Sequence, residues 1–178
     1  TIGNLFSANK ISEYLKSQRV DMLPKTILEY LTYLNSAYFV RRIRPMDIQG
    51  KKQFQIGEKY YFEDLGIRNA IRPFRATDIG QVLENVVCHH LLVCGYALYI
   101  GRDGDKEVDF VAERNGEKLY VQVAYSVIDP KTHEREFGNL LAIQDNYPKI
   151  VVTMDEVEGV SYQGIEQVPV RKFLLRWK

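Results

Sequence analysis

Residues 104–126, GDKEVDFVAERNGEKLYVQVAYS, decide the fold of this chain. Apolar and polar side chains alternate on both sides of Asn115-Gly116, and the alternation predicts two strands, at 107–114 and 118–126. An Asn-Gly pair favours the positive φ angles of a tight turn, so we expect the two strands to form an antiparallel hairpin.

The hairpin is predicted to have a polar face and an apolar face, because successive strand residues point to opposite sides. On the first strand, Glu107 and Asp109 share the polar face. Val108 and Phe110 share the apolar face. The second strand divides in the same way, with Tyr120, Gln122 and Ala124 on the polar face and Leu119, Val121 and Val123 facing the core. If the strands pair, Asp109 and Gln122 project into one cleft.

A third oxygen ligand comes from the preceding helix, where Glu84 lies at the edge of the apolar stripe. Glu84, Asp109 and Gln122 are therefore the candidate catalytic residues, and Glu84 and Asp109 are the candidate metal ligands. Carboxylate and amide oxygens suit Mg²⁺, which can polarise a phosphate and activate a water molecule. The alternatives without a metal are a surface acid near a turn for Asp109 and a salt bridge on the helix flank for Glu84.

The same residues predict that the site does not cleave phosphodiesters. Gln122 is neutral where a second carboxylate would hold a dication, and Ala124 cannot orient a water or stabilise a phosphorane as a lysine would. Lys131 and Arg135, at the start of the next predicted helix, are the candidate substitutes for that lysine.

The N-terminal segment, residues 1–75, follows the order of a winged helix-turn-helix. Helices are predicted at 8–17 and 24–36, and two strands with a basic turn between them follow. The candidate DNA-binding residues are the cations on the second helix and around the turn: Lys25, Arg41, Arg42, Arg44, Lys51 and Lys52. A solvated charged hairpin and a protein-interaction module remain alternatives for this segment.

The second segment, residues 76–178, is predicted to have an α/β fold. Asp78 is predicted to cap a strongly amphipathic helix that Gly95 ends. Three strands, a helix at 131–146 and a strand at 149–155 follow, and residues 167–176 form a strand or a short helix. The domain boundary is placed between residues 72 and 77.

Composition favours a cytoplasmic globular protein without a membrane segment. The 178 residues have a net charge of +1 and a mean hydropathy of -0.27. Residues 1–75 carry 13 Lys and Arg against 7 Asp and Glu, whereas residues 76–178 carry 11 against 16. This asymmetry favours two modules with different partners. Cys88 and Cys94 are six positions apart on one predicted helix, which argues against a disulfide.

The order of segments allows comparison with a known family. The most specific pieces are KYYFEDLGIRNAI, LENVV and EVDFV. Together with NKISEYLKS, PKTILEYLTYLNSAYFVRRI and YVQVAYS, they resemble the C-terminal region of bacterial and archaeal AAA-family ATPases of the DUF4143 type. The resemblance implies a winged helix followed by a restriction-endonuclease-like PD-(D/E)xK fold, so the fold class is α/β with a mixed sheet flanked by helices.

The resemblance also assigns roles to individual residues. Glu84 matches the family's helix glutamate and Asp109 its strand aspartate, whereas Gln122 and Ala124 stand where the usual pattern has Glu-x-Lys. It further implies a P-loop ATPase domain that precedes this region and binds ATP. The chain itself begins at Thr1 and contains neither GxxxxGK[ST] nor GxGxxG, so we expect it to be part of a longer protein.

We therefore expect a non-catalytic, cytoplasmic module of a bacterial AAA-family ATPase that contacts DNA or a partner protein. The first alternative is a Mg²⁺-dependent DNA nuclease in which another cation replaces the missing lysine. The second is a protein-interaction module that does not bind nucleic acid. Apart from Mg²⁺, no cofactor is expected in this part of the protein, and its oligomeric state is left open.

Overall fold

The structure, a computed structural model, describes residues 7–49, 57–157 and 159–176. Within these ranges the helices are α1 (Ala8–Ser17), α2 (Pro24–Ser36), α3 (Leu65–Ile71), α4 (Ile79–Val93), α5 (Pro130–Leu141) and α6 (Val170–Arg176). The strands are β1 (Val40–Asp47), β2 (Lys59–Phe62), β3 (Ala97–Asp103), β4 (Lys106–Arg114), β5 (Glu117–Ala124), β6 (Lys149–Thr153), β7 (Ser161–Tyr162) and β8 (Ile165–Pro169). The chain is thus a mixed α/β protein, as predicted.

All the described strands belong to one mixed sheet with the order β2-β1-β3-β4-β5-β6-β8-β7. The β3-β4-β5 meander is antiparallel, whereas β5, β6 and β8 run parallel to one another. β1 joins the meander by parallel pairing with β3, with Arg44 opposite Tyr99. The sheet therefore crosses the predicted boundary between residues 1–75 and 76–178. The division into two domains and the winged-helix assignment stay predictions.

Local sequence signals set most of the elements. Asn115 and Gly116 have φ angles of 56° and 81°, which confirms the hairpin turn between β4 and β5. α1 and α2 have the predicted bounds, and Ser7 caps α1 by accepting a hydrogen bond from the amide of Lys10. Gly95, with φ 82°, follows α4 as expected. α5 ends at Leu141, five residues earlier than predicted.

The start of α4 differs from the prediction. Asp78 makes no capping hydrogen bond with its side chain. Its carboxylate instead pairs with the buried guanidinium of Arg68 at 2.7 Å. The ion pair with Arg68, ten residues earlier in the chain, takes the place of the predicted capping contact.

Two apolar cores flank the sheet. The first packs α4 and α6 against it, and its fully buried members include Val87, Leu91, Phe110, Val121 and Phe173. The second packs α5 on the sheet, and its members include Val108, Val111, Tyr120, Phe137 and Leu140. The prediction that Leu119, Val121 and Val123 share a core face is confirmed, since Leu119 and Val121 are buried in the first core and the partly buried Val123 packs against it.

The prediction that Val108 and Phe110 share a face is wrong. Val108 lies in the second core and Phe110 in the first. Tyr99 pairs with Val111 and Gly101 pairs with Val108, so β4 carries one extra residue between these pairs. Such a bulge breaks strict alternation and redirects the side chains that follow it.

The helical hairpin α1–α2 is much less covered than the rest of the molecule. α1 has no buried residue, and α2 buries only Ile27. The large apolar side chains that remain exposed here are Ile11, Tyr14, Leu28, Tyr30, Tyr33 and Leu34. Across the described ranges, the helices are all too short or too polar to span a membrane.

A buried lysine–carboxylate cluster as the candidate functional site

The side chain of Lys59 lies at the centre of three carboxylates. Its Nζ atom is 2.9 Å from Oε1 of Glu84, 2.8 Å from Oε1 of Glu107 and 3.3 Å from Oδ1 of Asp109. The lysine side chain is only 4% exposed. We refer to Lys59, Glu84, Glu107 and Asp109 as the Lys59 cluster. The structure thus brings Glu84 and Asp109 together, as the sequence predicted, around a cation from the first segment.

Three elements supply the Lys59 cluster. Lys59 opens β2, Glu84 lies on α4, and Glu107 and Asp109 lie on β4. Tyr61, two residues after Lys59 on the same face of β2, donates a hydrogen bond from its hydroxyl to Oε1 of Glu84 at 2.6 Å. Burial raises the pKa of Tyr61, and the neighbouring Glu84 raises it further, so the hydroxyl stays a donor.

Asn85 anchors β2 to α4 beside the cluster. Its Oδ1 accepts a hydrogen bond from the amide of Phe62, and its Nδ2 donates to the carbonyl of the same residue, both at 2.9 Å. The amide side chain is 1% exposed. A two-point contact with one backbone residue fixes both the position and the register of the strand, which in turn aims Lys59 at the carboxylates.

Electrostatics explain how a charged lysine is stable here. Burial by itself lowers the pKa of Lys59, but the carboxylates of Asp109, Glu84 and Glu107 outweigh this effect and hold the pKa well above its ordinary value. The lysine is therefore charged at neutral pH. Arg102 adds a second cation at the rim, where its Nη2 lies 2.7 Å from Oε2 of Glu107.

The pKa of the Asp109 carboxyl is raised in the folded protein. Burial and the nearby Glu84 raise its pKa to about 7, although Lys59 opposes this shift. The side chain also takes over a strand contact at the bulge, where Oδ2 accepts a hydrogen bond from the amide of Val123 at 2.9 Å. Asp109 is therefore tied to the sheet through one oxygen and to Lys59 through the other.

Gln122, the predicted third ligand, points toward α5. Its Nε2 donates to Oε2 of Glu136 at 2.7 Å, and its Oε1 accepts from the amide of Asp109 at 3.3 Å. Arg135 donates in turn to the Glu136 carboxylate. Gln122 and Ala124 are both buried, so this face of β5 lies beneath α5 and is not an open cleft.

Of the two candidate substitutes for the missing lysine, Lys131 is exposed and Arg135 pairs with Glu136. The cation that does reach Glu84 and Asp109 is Lys59, which sequence reasoning missed. A signal was present in KYYF, because Lys59 and Tyr61 share one face of the strand and a buried lysine needs carboxylate partners.

The Lys59 cluster does not fit a divalent metal in this arrangement. Its ammonium group lies within hydrogen-bonding distance of oxygens from all three carboxylates, where a metal would have to sit. Across the part of the chain that the structure describes, groups of three or more His, Cys, Asp or Glu side chains placed to hold a metal ion are absent. The assignment of Glu84 and Asp109 as metal ligands stays a prediction.

The predicted DNA-binding arginines are engaged in ion pairs. Arg41 lies 2.9 Å from Glu63, and Arg42 and Arg44 each lie 3.8 Å from Glu58. Lys25 is exposed near the start of α2. The remaining two, Lys51 and Lys52, lie outside the described residues.

The fold and the site define the class as a mixed α/β protein with a lysine–carboxylate centre buried beside its sheet. The chain belongs to the family described as "Domain of unknown function (DUF4143)", whose model matches residues 79–173. It is also similar to an uncharacterized protein of Haemophilus influenzae (strain ATCC 51907 / DSM 11121 / KW20 / Rd), with 37% identity over 175 residues. That match covers 98% of this chain and 43% of the relative, so the chain spans less than half the relative's length. No solved structure matches the chain.

Proposed function

We propose that this chain is a non-catalytic binding module of an AAA-family ATPase and that it docks a partner protein. The observation that carries the proposal is the position of Lys59, whose ammonium group lies within 3.3 Å of an oxygen of each of Glu84, Glu107 and Asp109. A phosphodiesterase needs a cation that contacts its substrate, whereas this ammonium group is almost fully buried.

The choice of a protein over DNA rests on the N-terminal segment. Arg41, Arg42 and Arg44 already have acidic partners, which reduces the charge available to phosphates. By contrast, Tyr14, Tyr30 and Tyr33 are each more than half exposed on α1 and α2. Exposed aromatic side chains are enriched where proteins bind one another.

Photo-crosslinking in cells that contain the full-length protein tests the proposal. A photoreactive phenylalanine replaces Tyr33 on α2 or, as a matched control, Tyr125 after β5, which is also about half exposed. We expect a discrete protein adduct at position 33 that is absent at position 125. A nucleic-acid adduct at position 33 would favour DNA as the partner, and no adduct at position 33 would contradict the docking surface.

A Mg²⁺-dependent nuclease is the second candidate, and one observation favours it. Lys59 contacts both Glu84 and Asp109, so a lysine is close to the two carboxylates after all. Incubation of plasmid DNA with the chain and Mg²⁺ or Mn²⁺ decides between the candidates. Cleavage that Asp109→Ala abolishes would establish the nuclease, and intact plasmid at stoichiometric protein supports the non-catalytic module.

A further inference from the structure

Exposed apolar side chains of the α1–α2 hairpin lie on one side of the contact between the two helices. The less exposed positions form a stripe along each helix: Ala8, Ser12 and Leu15 on α1, and Pro24, Ile27, Leu31 and Asn35 on α2. The exposed apolar residues that directly precede members of these stripes are Ile11, Tyr14, Tyr30 and Leu34. One position turns a helix by about 100°, and the helices of a hairpin run in opposite directions, so these residues lie on the same side of both helices. Tyr33, one turn after Tyr30, extends the surface, and we refer to these five residues as the hairpin face.

The hairpin face lies on a helix that the rest of the molecule does little to stabilise. α1 has ten residues, none of them is buried, and it packs on α2. Helices shorter than about 12–15 residues are marginal in water, and packing of an apolar face supplies most of the stability of helices in proteins. A partner that covers the hairpin face would therefore stabilise α1 as well.

We propose that a second copy of this chain covers the hairpin face, so that two α1–α2 hairpins form a symmetric four-helix contact. The inference names the partner of the docking surface and therefore rests on the proposed function. In a two-fold contact the same patch meets itself, so the patch must be compatible with its own copy in charge and in area.

The charges of the hairpin allow two copies to meet. Residues 8–36 carry four cations and three anions, all of them exposed: Lys10, Lys16, Arg19 and Lys25 against Glu13, Asp21 and Glu29. The resulting net charge of +1 gives little repulsion between copies and little attraction for phosphates. The cations of one copy are also available to the anions of the other.

The area of the hairpin face is sufficient for a dimer. At about 150–250 Å² for an aromatic side chain, the exposed parts of Tyr14, Tyr30 and Tyr33 present roughly 300–450 Å². Two copies bring together about twice that area, and Ile11 and Leu34 add to it. Because about 60% of an interface is apolar, the total buried area reaches about 1,000–1,500 Å², the size of a stable specific interface.

Sedimentation velocity of the intact chain tests the pairing. At about 1 to 100 μM, where an interface of this size is expected to associate, we expect a species with twice the 20.7 kDa mass of the chain. Tyr33→Glu places a charge in the hairpin face and should raise the dissociation constant at least about tenfold. Tyr125→Glu, at a half-exposed position after β5, is the matched control and should leave the constant unchanged. A monomer at every concentration, or a dimer that both variants weaken equally, would overturn the proposal.

Photo-crosslinking distinguishes a failure of this inference from a failure of the proposed function. Cells contain two copies of the full-length protein with different affinity tags, and a photoreactive phenylalanine replaces Tyr33 in one copy. We expect an adduct that carries both tags. An adduct with a different protein would overturn the second copy as the partner and leave the docking proposal intact, whereas a nucleic-acid adduct or no adduct would contradict both.

Discussion

The Nζ atom of Lys59 lies 2.9 Å from Oε1 of Glu84, although the two residues belong to the oppositely charged halves of the sequence. A second ion pair, between Arg68 and Asp78, also joins the two halves. The charge asymmetry of the sequence by itself favours two modules with different partners. Some of these opposite charges pair within the molecule, where Lys59 and Arg68 from residues 1–75 contact Glu84 and Asp78 from residues 76–178.

Loss of the central cation should destabilise the protein strongly. Lys59→Met keeps an unbranched side chain of similar length but leaves the carboxylates without their central partner. We expect the free energy of unfolding to fall by about 3–5 kcal/mol. Urea denaturation measures the change. Lys25→Met, at an exposed position on α2, is the matched control and should change stability by less than about 0.5 kcal/mol.

The carboxylates themselves supply the second test of this prediction. Once Lys59 is replaced, repulsion among the acids should dominate, so adding Glu84→Gln to Lys59→Met should recover part of the lost stability. The two substitutions are in contact and should not be additive. A Lys59→Met variant as stable as the wild type would show that the cluster contributes nothing to folding.

The raised pKa of Asp109 predicts a specific pH dependence. Burial and Glu84 raise this pKa from 3.8 to about 7 in the folded protein, so the native state holds a proton that the unfolded chain has released. The contribution of Asp109 to the free energy of unfolding should therefore fall as the pH rises from about 4 to about 7. At roughly 1.4 kcal/mol per pKa unit, the total loss is at most about 4 kcal/mol.

Asp109→Asn removes this titration and should flatten the stability profile over the same pH window. Urea midpoints measured at intervals of pH for both proteins give the difference directly. Asp105→Asn, in the exposed turn before β4, is the control and should leave the wild-type profile unchanged. If Asp109→Asn and the wild type have parallel profiles, the carboxyl is ionised throughout.

Of the two arginines that contact Asp78, the buried one should matter more. Arg68 is 3% exposed and pairs at 2.7 Å, whereas Arg72 is 45% exposed and lies 3.8 Å away. Arg68→Ala should therefore lower the urea midpoint clearly, while Arg72→Ala should change it little, because solvent screens an exposed ion pair. Equal midpoints for the two variants would mean that the Arg68 contact is not formed in solution.

The bulge between β3 and β4 predicts a requirement for glycine at position 101. A Cβ atom on Gly101 would lie 2.9 Å from Cγ2 of Val111 and 3.1 Å from Cβ of Val108. Gly101→Ala should therefore cost about 1–3 kcal/mol by overpacking the core. Gly138→Ala is the matched control on α5, where the added methyl group meets nothing within 4 Å, and it should stabilise by about 0.5–1 kcal/mol.

Much of the local structure could be predicted because its causes are local. The Asn115-Gly116 turn and the bounds of α1 and α2 follow from turn chemistry and helical periodicity. The bulge near Asp109 could not be predicted in this way. It depends on how β4 fits between β3 and β5, and it is the reason that Val108 and Phe110 enter different cores.

The candidate site shows the same division. The sequence identified Glu84 and Asp109, and the structure places them on the same lysine. The sequence did not identify Lys59 or Glu107 as partners of these acids. It also did not identify the contact of Gln122 with Glu136. These contacts join residues 14 to 50 positions apart, and spacing along the chain carries no information about pairs brought together by a sheet.

The sequence by itself determined the bounds of α1 and α2, the central hairpin and the two acids, since each depends on neighbours within a few residues. Only the tertiary structure decided that β1 pairs in parallel with β3, which carries β2 to the edge of the sheet next to α4. That placement puts an ammonium group where the sequence predicted a metal. The physical reason is that a buried aspartate beside two partly buried glutamates requires a counter-ion, and the fold provides one from a strand 25 residues before Glu84.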